Sequence, residues 1–292
     1  MTGNKLNIPL VDICNLSEHK EDNFLVSRFG SYLEKHQNLQ LAHRHSFYHL
    51  VYFTKGAGFH TIDFTKFETK PYQIYFMIPG QVHSWNFEGD IDGYVVNFSP
   101  TFFQSFLLRS DYLESFPFFN SIVQDSVINL EPPFNEKLRG LFEEIIVHDS
   151  QKETFQGDII RALLLQIFIL IDQNCFARKP QNIPPYNYTL LKNFQKLIEK
   201  HYTELKLPME YADLLYITPN HLNAICKEHL GIQAGEVIRN RIILEAKRQL
   251  INQQISITEI SYLLNFKDNS YFSKFFKKQV GITPEEFRKR TH

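Results

Sequence analysis

The sequence contains little cysteine, and its cysteines are scattered. Only three occur in 292 residues, Cys14, Cys175 and Cys226, and none forms a CxxC pair. This excludes a disulfide-stapled fold and a zinc site built on clustered cysteines, and it is typical of a protein from a reducing compartment. The chain also lacks a basic start followed by an apolar core, so we expect no secretory signal.

Long apolar runs are equally scarce. The most apolar stretch, Ile159 to Ile171, contains Arg161 and Gln166 and is too short to cross a bilayer, so we expect no membrane partner. Disorder is not expected either, because 43% of the residues are hydrophobic and 22% are charged. The chain is long enough for two globular domains.

The near-zero net charge of -1 hides an uneven distribution. Residues 1–187 carry 15 Lys and Arg against 21 Asp and Glu, whereas residues 188–292 carry 16 against 11. An acidic first part and a basic second part indicate that the second part alone binds a polyanion. Chance clustering of charge would give the same balance, so the motifs must decide.

Between about residues 47 and 98 the sequence alternates in the manner of β-strands. Aromatic and β-branched runs are cut by glycine and proline about every ten residues, which is typical of a small antiparallel barrel or sandwich. Beyond residue 133 the apolar period becomes helical, with Leu138, Phe142 and Ile145 on one face.

A second helix, about Phe155 to Ala177, is apolar around most of its circumference. Such a helix must be covered on more than one side, so we expect a homodimer through the helices near residues 134–177, unless both helices only cap their own domain. Three prolines in RKPQNIPPYN, residues 178–187, then indicate a linker.

The C-terminal region repeats itself after fifty residues. LNAICKEHLGI, residues 222–232, overlays FSKFFKKQVGI, residues 272–282, and Leu214 overlays Leu264. Each copy is predicted to form a helix, a turn and a second helix. A single polar helix face is usually only a solvated face. A polar face that recurs in both copies is a more specific indication of DNA binding.

The second copy carries clear helix boundaries. Ser256 and Glu259 have capping-box spacing, and Gly281 is predicted to end the second helix. A long helix, Gly235 to Asn252, would hold the two copies so that their second helices enter major grooves about 34 Å apart. The apolar side of the second copy is predicted to consist of Ile260, Leu263, Leu264, Tyr271, Phe272, Phe275 and Phe276.

The segment from Met209 to Arg290 resembles the DNA-binding domain of the AraC family of transcription regulators, above all in SITEISYLLNFKDNSYFSKFFKKQVGITPEEFRK. The resemblance implies double-stranded operator DNA as a partner, RNA polymerase as a further one, no enzymatic activity, and a bacterial cytoplasmic protein that joins the nucleoid when bound. The implied DNA contacts are Thr218, Asn220, His221, Asn223, Ala224 and Lys227 in the first unit and Asp268, Asn269, Ser270, Ser273, Lys274 and Lys277 in the second.

Two positions depart from the family pattern. Ala224 stands where arginine is frequent, and alanine cannot make a bidentate contact with guanine, so the second unit with Lys274 is expected to contribute more to specificity. Asn265 stands where glycine is usual in the second turn, and asparagine tolerates the left-handed conformation that such a turn needs.

The N-terminal region resembles the cupin-type effector domain of the same family over about residues 25–100, on HRHSFYHLVYFTKGAGFHTIDF and MIPGQVHSW. A barrel of this size can hold one small organic effector, and Phe47, Phe59 and Phe76 are further aromatic wall candidates that could instead simply fill the core. The predicted effector contacts are His43, His45, His49, Tyr52, His83 and Trp85.

The histidines also admit a second interpretation. A HxH pair with a later histidine suits a metal cupin, but the glutamate that usually follows such a pair is missing, so we expect no metal ligand and no cofactor. A metal-dependent enzyme fused to a DNA-binding domain is one alternative. A constitutive DNA-binding protein whose first domain only dimerises is another.

The predicted fold is a two-domain α+β chain. A cupin-like β-barrel with two following helices precedes an all-α domain of two helix-turn-helix units joined by a long helix. The predicted divisions are an arm at 1–24, the effector barrel at 25–130, the dimerisation helices at 131–177, the linker at 178–187 and the DNA-binding domain at 188–292.

Overall fold

The structure, a computed structural model, describes residues 9–16, 23–104, 106–109, 111–120, 123–151, 153–176 and 184–291. The chain divides into two compact units, Ile8–Lys179 and Pro180–His292. We call them the sheet unit and the helical unit. Most of the predicted arm and residues 178–183 of the predicted linker lie outside the described residues.

The described part of the sheet unit forms one sheet of eight strands. The strand order is β1-β3-β7-β4-β6-β8, with β2 paired to β7 and β5 paired to β4. The cupin-like sheet is confirmed, but this path is open at β1 and β8, so the predicted barrel is not closed. The strands are β1 Leu10–Val11, β2 Phe24–Arg28, β3 His43–His45, β4 Tyr48–Ile62, β5 Thr65–Thr69, β6 Gln73–Met77, β7 Val82–Phe98 and β8 Val127–Asn129.

The long antiparallel ladder between β4 and β7 lies at the centre of this sheet. It runs from the pair Tyr48 and Phe98 to the pair Ile62 and His83, with register shifts between Phe53 and Ala57. Gly93 has a positive φ of 155°, and a Cβ there would lie 2.0 Å from the carbonyl oxygen of Tyr52. Only glycine therefore allows the two strands to approach at this bend.

Both faces of the sheet are covered. The sheet unit contains the helices α1 Phe29–Lys35, α2 Phe134–Ser150 and α3 Gln156–Ile171. One face packs with α2 and α3 in a core rich in phenylalanine, including Phe76, Phe98 and Phe168. The other face packs with α1 in a second core that includes Phe53 and Trp85.

Helix α3 is longer in effect than the predicted apolar stretch, because it continues as a π-helical turn, Asp172–Phe176. The combined segment of 21 residues is long and apolar enough to span a membrane by composition, which corrects the expectation that it is too short. Its buried side, with Leu164 and Phe168 fully buried, packs into the core on the helix-covered face of the sheet. Packing in the core therefore accounts for the apolar residues on this buried side.

The helical unit consists of seven helices in its described residues. They confirm the predicted pair of helix-turn-helix units joined by one long helix. The first described helix begins at Pro185, inside the predicted linker. The helices are α4 Pro185–His201, α5 Pro208–Leu214, α6 Pro219–Leu230, α7 Ala234–Ile251, α8 Ile257–Leu263, α9 Asn269–Val280 and α10 Pro284–Arg290.

The two turns differ in length by one residue. Four residues separate α5 from α6, and five separate α8 from α9. The structural counterpart of the buried Leu264 is consequently Leu215, since both are C-cap residues, and the predicted overlay with Leu214 was wrong. The residues that follow, Tyr216 with φ 55° and Asn265 with φ 54°, are left-handed, which confirms the prediction for Asn265.

Local capping explains why the helices begin and end where they do. The Ser256 hydroxyl accepts a hydrogen bond from the Glu259 amide at 3.1 Å, and the Glu259 carboxylate accepts one from the Ser256 amide at 2.7 Å. This confirms the predicted capping box. Gly231 and Gly281, both left-handed, end α6 and α9.

Two residues of the predicted apolar side of the second unit face outward. The side chain of Leu263 is 59% exposed, and that of Tyr271 is 61% exposed. The core of this unit instead uses Leu264, Phe266 and Phe272. The short helix α8 buries only one narrow side, so a residue next to an apolar stripe in sequence need not lie in it.

Candidate DNA interface and ligand-binding core

The second helix of each helix-turn-helix unit has one buried and one exposed side. In α6, Leu222, Ile225 and Cys226 are buried, and in α9, Phe272 and Phe276 are buried. The opposite sides carry amide, imidazole and ammonium groups that can reach base edges and phosphates. The exposed residues among the predicted DNA contacts are Thr218, Asn220, His221, Ala224, Lys227, Asp268, Ser270, Lys274 and Lys277.

Two of the predicted contacts act as helix caps. The Thr218 hydroxyl accepts a hydrogen bond from the His221 amide at 3.2 Å, and the Asp268 carboxylate accepts one from the Tyr271 amide at 2.7 Å. These bonds satisfy backbone donors at the first turns of α6 and α9. The Asp268 charge also repels phosphate, so its function here is to begin the helix.

Asn223 is engaged inside the unit. Its side-chain oxygen accepts a hydrogen bond from the Ala234 amide at 3.1 Å, which ties α6 to the first residue of α7. Its counterpart Ser273 is half-buried, as is Asn269, whose side-chain oxygen is buried without a hydrogen-bond partner. These three residues are therefore less available to DNA than the predicted pattern implied.

The predicted interface omitted several exposed residues of the two helix-turn-helix units. Lys267 and Lys278 are exposed, and they flank the predicted contacts in sequence. Tyr271 is also exposed, although its place next to Phe272 made it look like a core residue. Tyr216, in the first turn, is 96% exposed. The cationic residues were visible in the sequence, whereas the exposure of the tyrosines depends on how the helices pack.

The two helix-turn-helix units are linked by more than α7. The Lys206 ammonium, just before α5, donates to the carbonyl oxygens of Leu264 at 2.8 Å and Asn265 at 2.5 Å in the second turn. It also lies 4.0 Å from the centre of the Phe266 ring. One side chain of the first unit thereby holds the turn of the second.

A partly buried ion network joins α4 to α7. The Arg241 guanidinium contacts the carboxylates of Glu199 at 2.8 Å and Glu245 at 3.2 Å. Burial alone would raise the pKa of Glu245, but Arg241 and Arg248 together hold that pKa below its usual value. The ion pairs fix α4 against the long helix on which both units are mounted.

In the sheet unit, five histidines meet on the face of the sheet opposite α2 and α3. Strand β3 contributes His43 and His45, β4 contributes His49 and His60, and β7 contributes His83. Each is 2% exposed or less. The structure thus brings together the four histidines that the sequence grouped, and it adds a fifth.

His60 is the residue that sequence reasoning missed. Its Nε2 lies 3.1 Å from Nδ1 of His83, and its ring stacks on Trp85 with the ring centres 3.3 Å apart. The register pairs His60 with Trp85 across β4 and β7. Strand alternation in GFHTIDF was the signal, but finding the pair required the register.

Burial sets the charge of this cluster. Desolvation, which disfavours the imidazolium form, lowers the pKa of His49 to about 3 and holds the pKa of His45, His60 and His83 well below the usual value. The pKa of His43 is lowered by the same cause. All five rings are therefore neutral near pH 7, and each offers one N–H and one lone pair.

Three predicted wall residues do not face this cluster. The Tyr52 hydroxyl donates to the carbonyl oxygen of Asn135 at 3.0 Å, and Phe76 packs on Phe118, so both lie on the helix-covered face. Phe59 is half-buried, with the ammonium of Lys66 3.5 Å from its ring centre. Successive strand residues point to opposite faces, and this alternation excludes them from the interior.

Two other predicted wall residues do lie with the histidines. Trp85 is 6% exposed and stacks on His60, and the ring centre of Phe47 lies 4.4 Å from that of His45. The histidine cluster and these rings contact one another closely. The interior of the sheet is therefore packed with side chains around the histidines.

An open cleft of about 830 Å³ lies elsewhere in the sheet unit. It is bordered by β8, by the start of α2 and by the π-helical end of the α3 segment. Polar side chains such as Glu131 and Lys137 alternate there with apolar ones such as Phe134 and Phe176. A small molecule with both polar and apolar groups would find partners in this cleft.

Comparison with known proteins identifies the domain type of both units. Residues 211–290 match the model of a helix-turn-helix domain family, and residues 31–168 match that of the AraC-like ligand binding domain. The chain belongs to the AraC family of transcription regulators. The regulator binds DNA through its helical unit and carries a ligand-binding sheet unit, and its domains and relatives are those of a transcription regulator and not of an enzyme.

Similar proteins cover nearly the whole regulator. The HTH-type transcriptional regulator YfiF of Bacillus subtilis is 25% identical over 281 residues, 93% of this chain and 85% of that protein. The HTH-type transcriptional activator RhaR of Escherichia coli K12 is 21% identical over 255 residues, 86% of this chain and 88% of RhaR. Solved structure comparison finds ToxT of Vibrio cholerae, 14% identical with a TM-score of 0.44, covering 91% of this chain and 98% of ToxT.

Proposed function

We propose that the regulator reads its operator with the exposed sides of α6 and α9. The supporting observation is that both helices bury an apolar side in a basic unit and present polar side chains on the other. Thr218, Asp268 and Asn223 then serve to hold the helices. The proposed DNA contacts are Asn220, His221, Ala224, Lys227, Ser270, Lys274 and Lys277, with Asn269 and Ser273 at the margin.

The connection between the units supports a single extended half-site. Helix α7 has 18 residues and so spans about 27 Å at a rise of 1.5 Å per residue. Lys206 and the Arg241 network add fixed contacts on either side of it. We propose that α6 and α9 enter successive major grooves on one face of the duplex, about 34 Å apart.

The test begins with genome-wide mapping of DNA bound by the full chain, which defines the operator. Operator affinity is then measured by fluorescence anisotropy at fixed salt for Lys274→Ala and for Lys55→Ala, a surface lysine of the sheet unit. A base or phosphate contact by Lys274 predicts a loss of about tenfold, and Lys55→Ala predicts none. Equal affinities for both variants would remove Lys274 from the interface.

The proposed effector site is the cleft of the sheet unit. The sheet interior is packed with histidine and aromatic side chains, whereas the cleft is open and has charged groups, Glu131 and Lys137, beside phenylalanine rings. We therefore infer a small polar organic effector that binds there. The cleft includes Cys175 and Phe176, which directly precede the residues leading to the helical unit, so occupancy of the cleft can influence operator binding.

A ligand that binds only the folded state must raise its stability. The full chain is screened with sugars and small metabolites, and unfolding is followed by the fluorescence of Trp85, the only tryptophan. For any ligand found, Lys137→Met should abolish the stabilisation and His36→Gln, outside the cleft, should retain it. The opposite pattern would place the effector elsewhere.

The proposed assembly is a homodimer through α3. Its uncovered side forms one stripe at helical spacing, and in the most apolar window of this helix only 28% of the residues are buried. The stripe is apolar except for one glutamine, which is unusual for a face left in water. It consists of the exposed Ile159, Ala162, Gln166 and Ile169, with the half-buried Leu163 and Leu170 beside them.

Sedimentation of the full chain tests the dimer. Ile169→Lys should shift the molecules to monomers at micromolar concentration, because it places a charge in the apolar stripe. The control Lys66→Glu changes charge on a surface strand and should leave the dimer intact. A wild-type chain that sediments as a monomer would refute the proposal.

The place of action follows from the function. A regulator that binds chromosomal DNA works in the bacterial cytoplasm, and we propose that it joins the nucleoid when bound. RNA polymerase is the proposed partner of the DNA-bound dimer, since regulation of transcription acts at the promoter. Footprinting of polymerase at the mapped operators, with and without the regulator, tests this partner.

A further inference from the structure

Three histidines bring their ligand nitrogens close to one another inside the sheet unit. Nε2 of His45 lies 3.0 Å from Nε2 of His43 and 2.7 Å from Nε2 of His83. Ligand atoms of all three lie within 4.8 Å of one another. Strand pairing enforces this meeting, because His43 is the direct partner of His83 across β3 and β7.

Neutral histidines cannot satisfy both close contacts. Nδ1 of His43 lies 2.7 Å from the carbonyl oxygen of Leu41 and must donate to it, so Nε2 of His43 carries a lone pair. A hydrogen bond between these two residues would then require Nε2 of His45 to carry the hydrogen and donate it to Nε2 of His43. A protonated Nε2 of His45 would have no lone pair left for His83. At most one of the two contacts can therefore be a hydrogen bond.

A cation removes this conflict, because all three Nε2 atoms can then present lone pairs to the same centre. Nitrogen ligands lie about 2.0–2.1 Å from Zn²⁺, so neighbouring ligands are about 2.9–3.4 Å apart at octahedral or tetrahedral angles. The observed 3.0 Å falls in this range, and 2.7 Å lies within a few tenths of an ångström of it. The third pair, His43 and His83, lies within 4.8 Å, so a small rotation of one ring brings all three nitrogens to a common ion.

Two of the three proposed ligands have the outer contact that a metal-bound histidine needs, whereas Nδ1 of His45 is buried without a hydrogen-bond partner among the described residues. A ligating histidine commonly donates its other N–H to a carbonyl or another acceptor, which fixes the ring. Nδ1 of His43 has the Leu41 carbonyl, and Nδ1 of His83 has Nε2 of His60 at 3.1 Å. The residue that sequence reasoning missed thereby orients one of the three rings.

We propose that His43, His45 and His83 bind one divalent transition-metal ion, such as Zn²⁺ or Co²⁺, in the interior of the sheet unit. Imidazole nitrogen is a preferred ligand of these transition-metal ions, whereas Mg²⁺ and Ca²⁺ prefer oxygen ligands. This site lies apart from the residues of the proposed effector cleft, and it replaces the sequence-based expectation of no metal.

The test uses the untagged full chain after removal of metals with a chelator. Titration with Co²⁺ is followed by visible absorption, and we expect one equivalent per chain at micromolar affinity, displaced by Zn²⁺ because Zn²⁺ lies above Co²⁺ in affinity. His45→Ala should weaken binding by on the order of 100-fold. His36→Ala, a histidine of the same unit outside the cluster, should bind as the wild type does.

A variant that retains a ligand guards against misfolding as an explanation. His83→Cys should still bind Co²⁺ and should add an absorption band of thiolate-to-metal charge transfer, which arises only if position 83 is a ligand. Trp85 fluorescence reports whether each variant is folded. Absence of saturable binding by the wild type, or unchanged binding by His45→Ala, would overturn the proposal, as would a His83→Cys variant that binds without the new band.

Discussion

Lys206 offers the sharpest test of how the two DNA-reading units are held together. Replacing it with methionine keeps the aliphatic stem and removes the ammonium group, which donates at 2.8 Å and 2.5 Å to two carbonyl oxygens of the turn after α8. The substitution therefore leaves two carbonyl oxygens without this partner and removes the contact with the Phe266 ring.

The expected cost follows from these contacts. A hydrogen bond to a charged donor contributes about 1.5–3 kcal/mol, but Lys206 is only half-buried, so its two bonds are weakened by solvent. Burial removes part of the hydration of the ammonium and so lowers the pKa of Lys206. We expect a net destabilisation of about 2 kcal/mol, or roughly 1 M in the urea midpoint of the helical unit.

Two spectroscopic probes separate the units in the full chain. Trp85 fluorescence reports on the sheet unit alone, and circular dichroism at 222 nm follows mainly the helical unit. Lys206→Met should shift the second transition and leave the first unchanged, and it should weaken operator binding because the turn of the second unit is no longer fixed. The control Lys289→Met removes an ammonium whose side chain is 76% exposed and should cost less than about 0.5 kcal/mol. A Lys206→Met chain as stable as that control, or a parallel shift of both transitions, would refute the reasoning.

Three further predictions concern the helical unit. Asn223→Ala should destabilise it by about 1 kcal/mol because the amide of Ala234 at the start of α7 loses its acceptor, whereas Asn223→Asp should retain stability. If Asn223 contacts bases instead, both variants should lose operator affinity equally while urea unfolding is unchanged. Tyr216→Gly should stabilise the unit by about 1 kcal/mol in thermal unfolding, since the tyrosine is held at φ 55° and is 96% exposed. A loss of stability would instead show that the ring has a packing function. The pKa of Glu245 is lowered in the folded state, so its stabilisation is present above the unfolded value near 4.5 and disappears as the pH falls through the folded value. Glu245→Gln should therefore flatten the acid limb of urea stability measured between pH 6 and pH 3.5, and an unchanged limb would argue against the network.

Much of the helical unit could be predicted because its signals are local. The capping box of Ser256 and Glu259, the ending glycine Gly281 and the left-handed Asn265 each depend on residues within four positions along the chain. The fifty-residue repeat then identified two copies of one unit. Even so, the repeat aligned α5 with α8 one residue out of register. The second turn has one residue more than the first, and an overlay without gaps cannot show this difference.

The faces of the sheet were harder to predict. Strand β4 alternates as expected, but both of its faces are buried, so polarity does not distinguish them. Tyr52 and His49 were therefore grouped in one pocket although they lie on opposite faces. Only the packing of α2 and α3 on one side decides which residues face the histidines.

The sequence by itself determined that this chain has a sheet unit followed by a tandem pair of helix-turn-helix units, because periodicity and capping are properties of short segments. The tertiary structure alone decided which polar groups are free. Asn223 is held by Ala234, Lys206 by a turn 58 residues away, and His83 by His60 across the sheet. These contacts join residues that are distant in sequence. A hydrogen-bond partner that folding brings close cannot be recognised from the residues on either side of the donor or acceptor in the sequence.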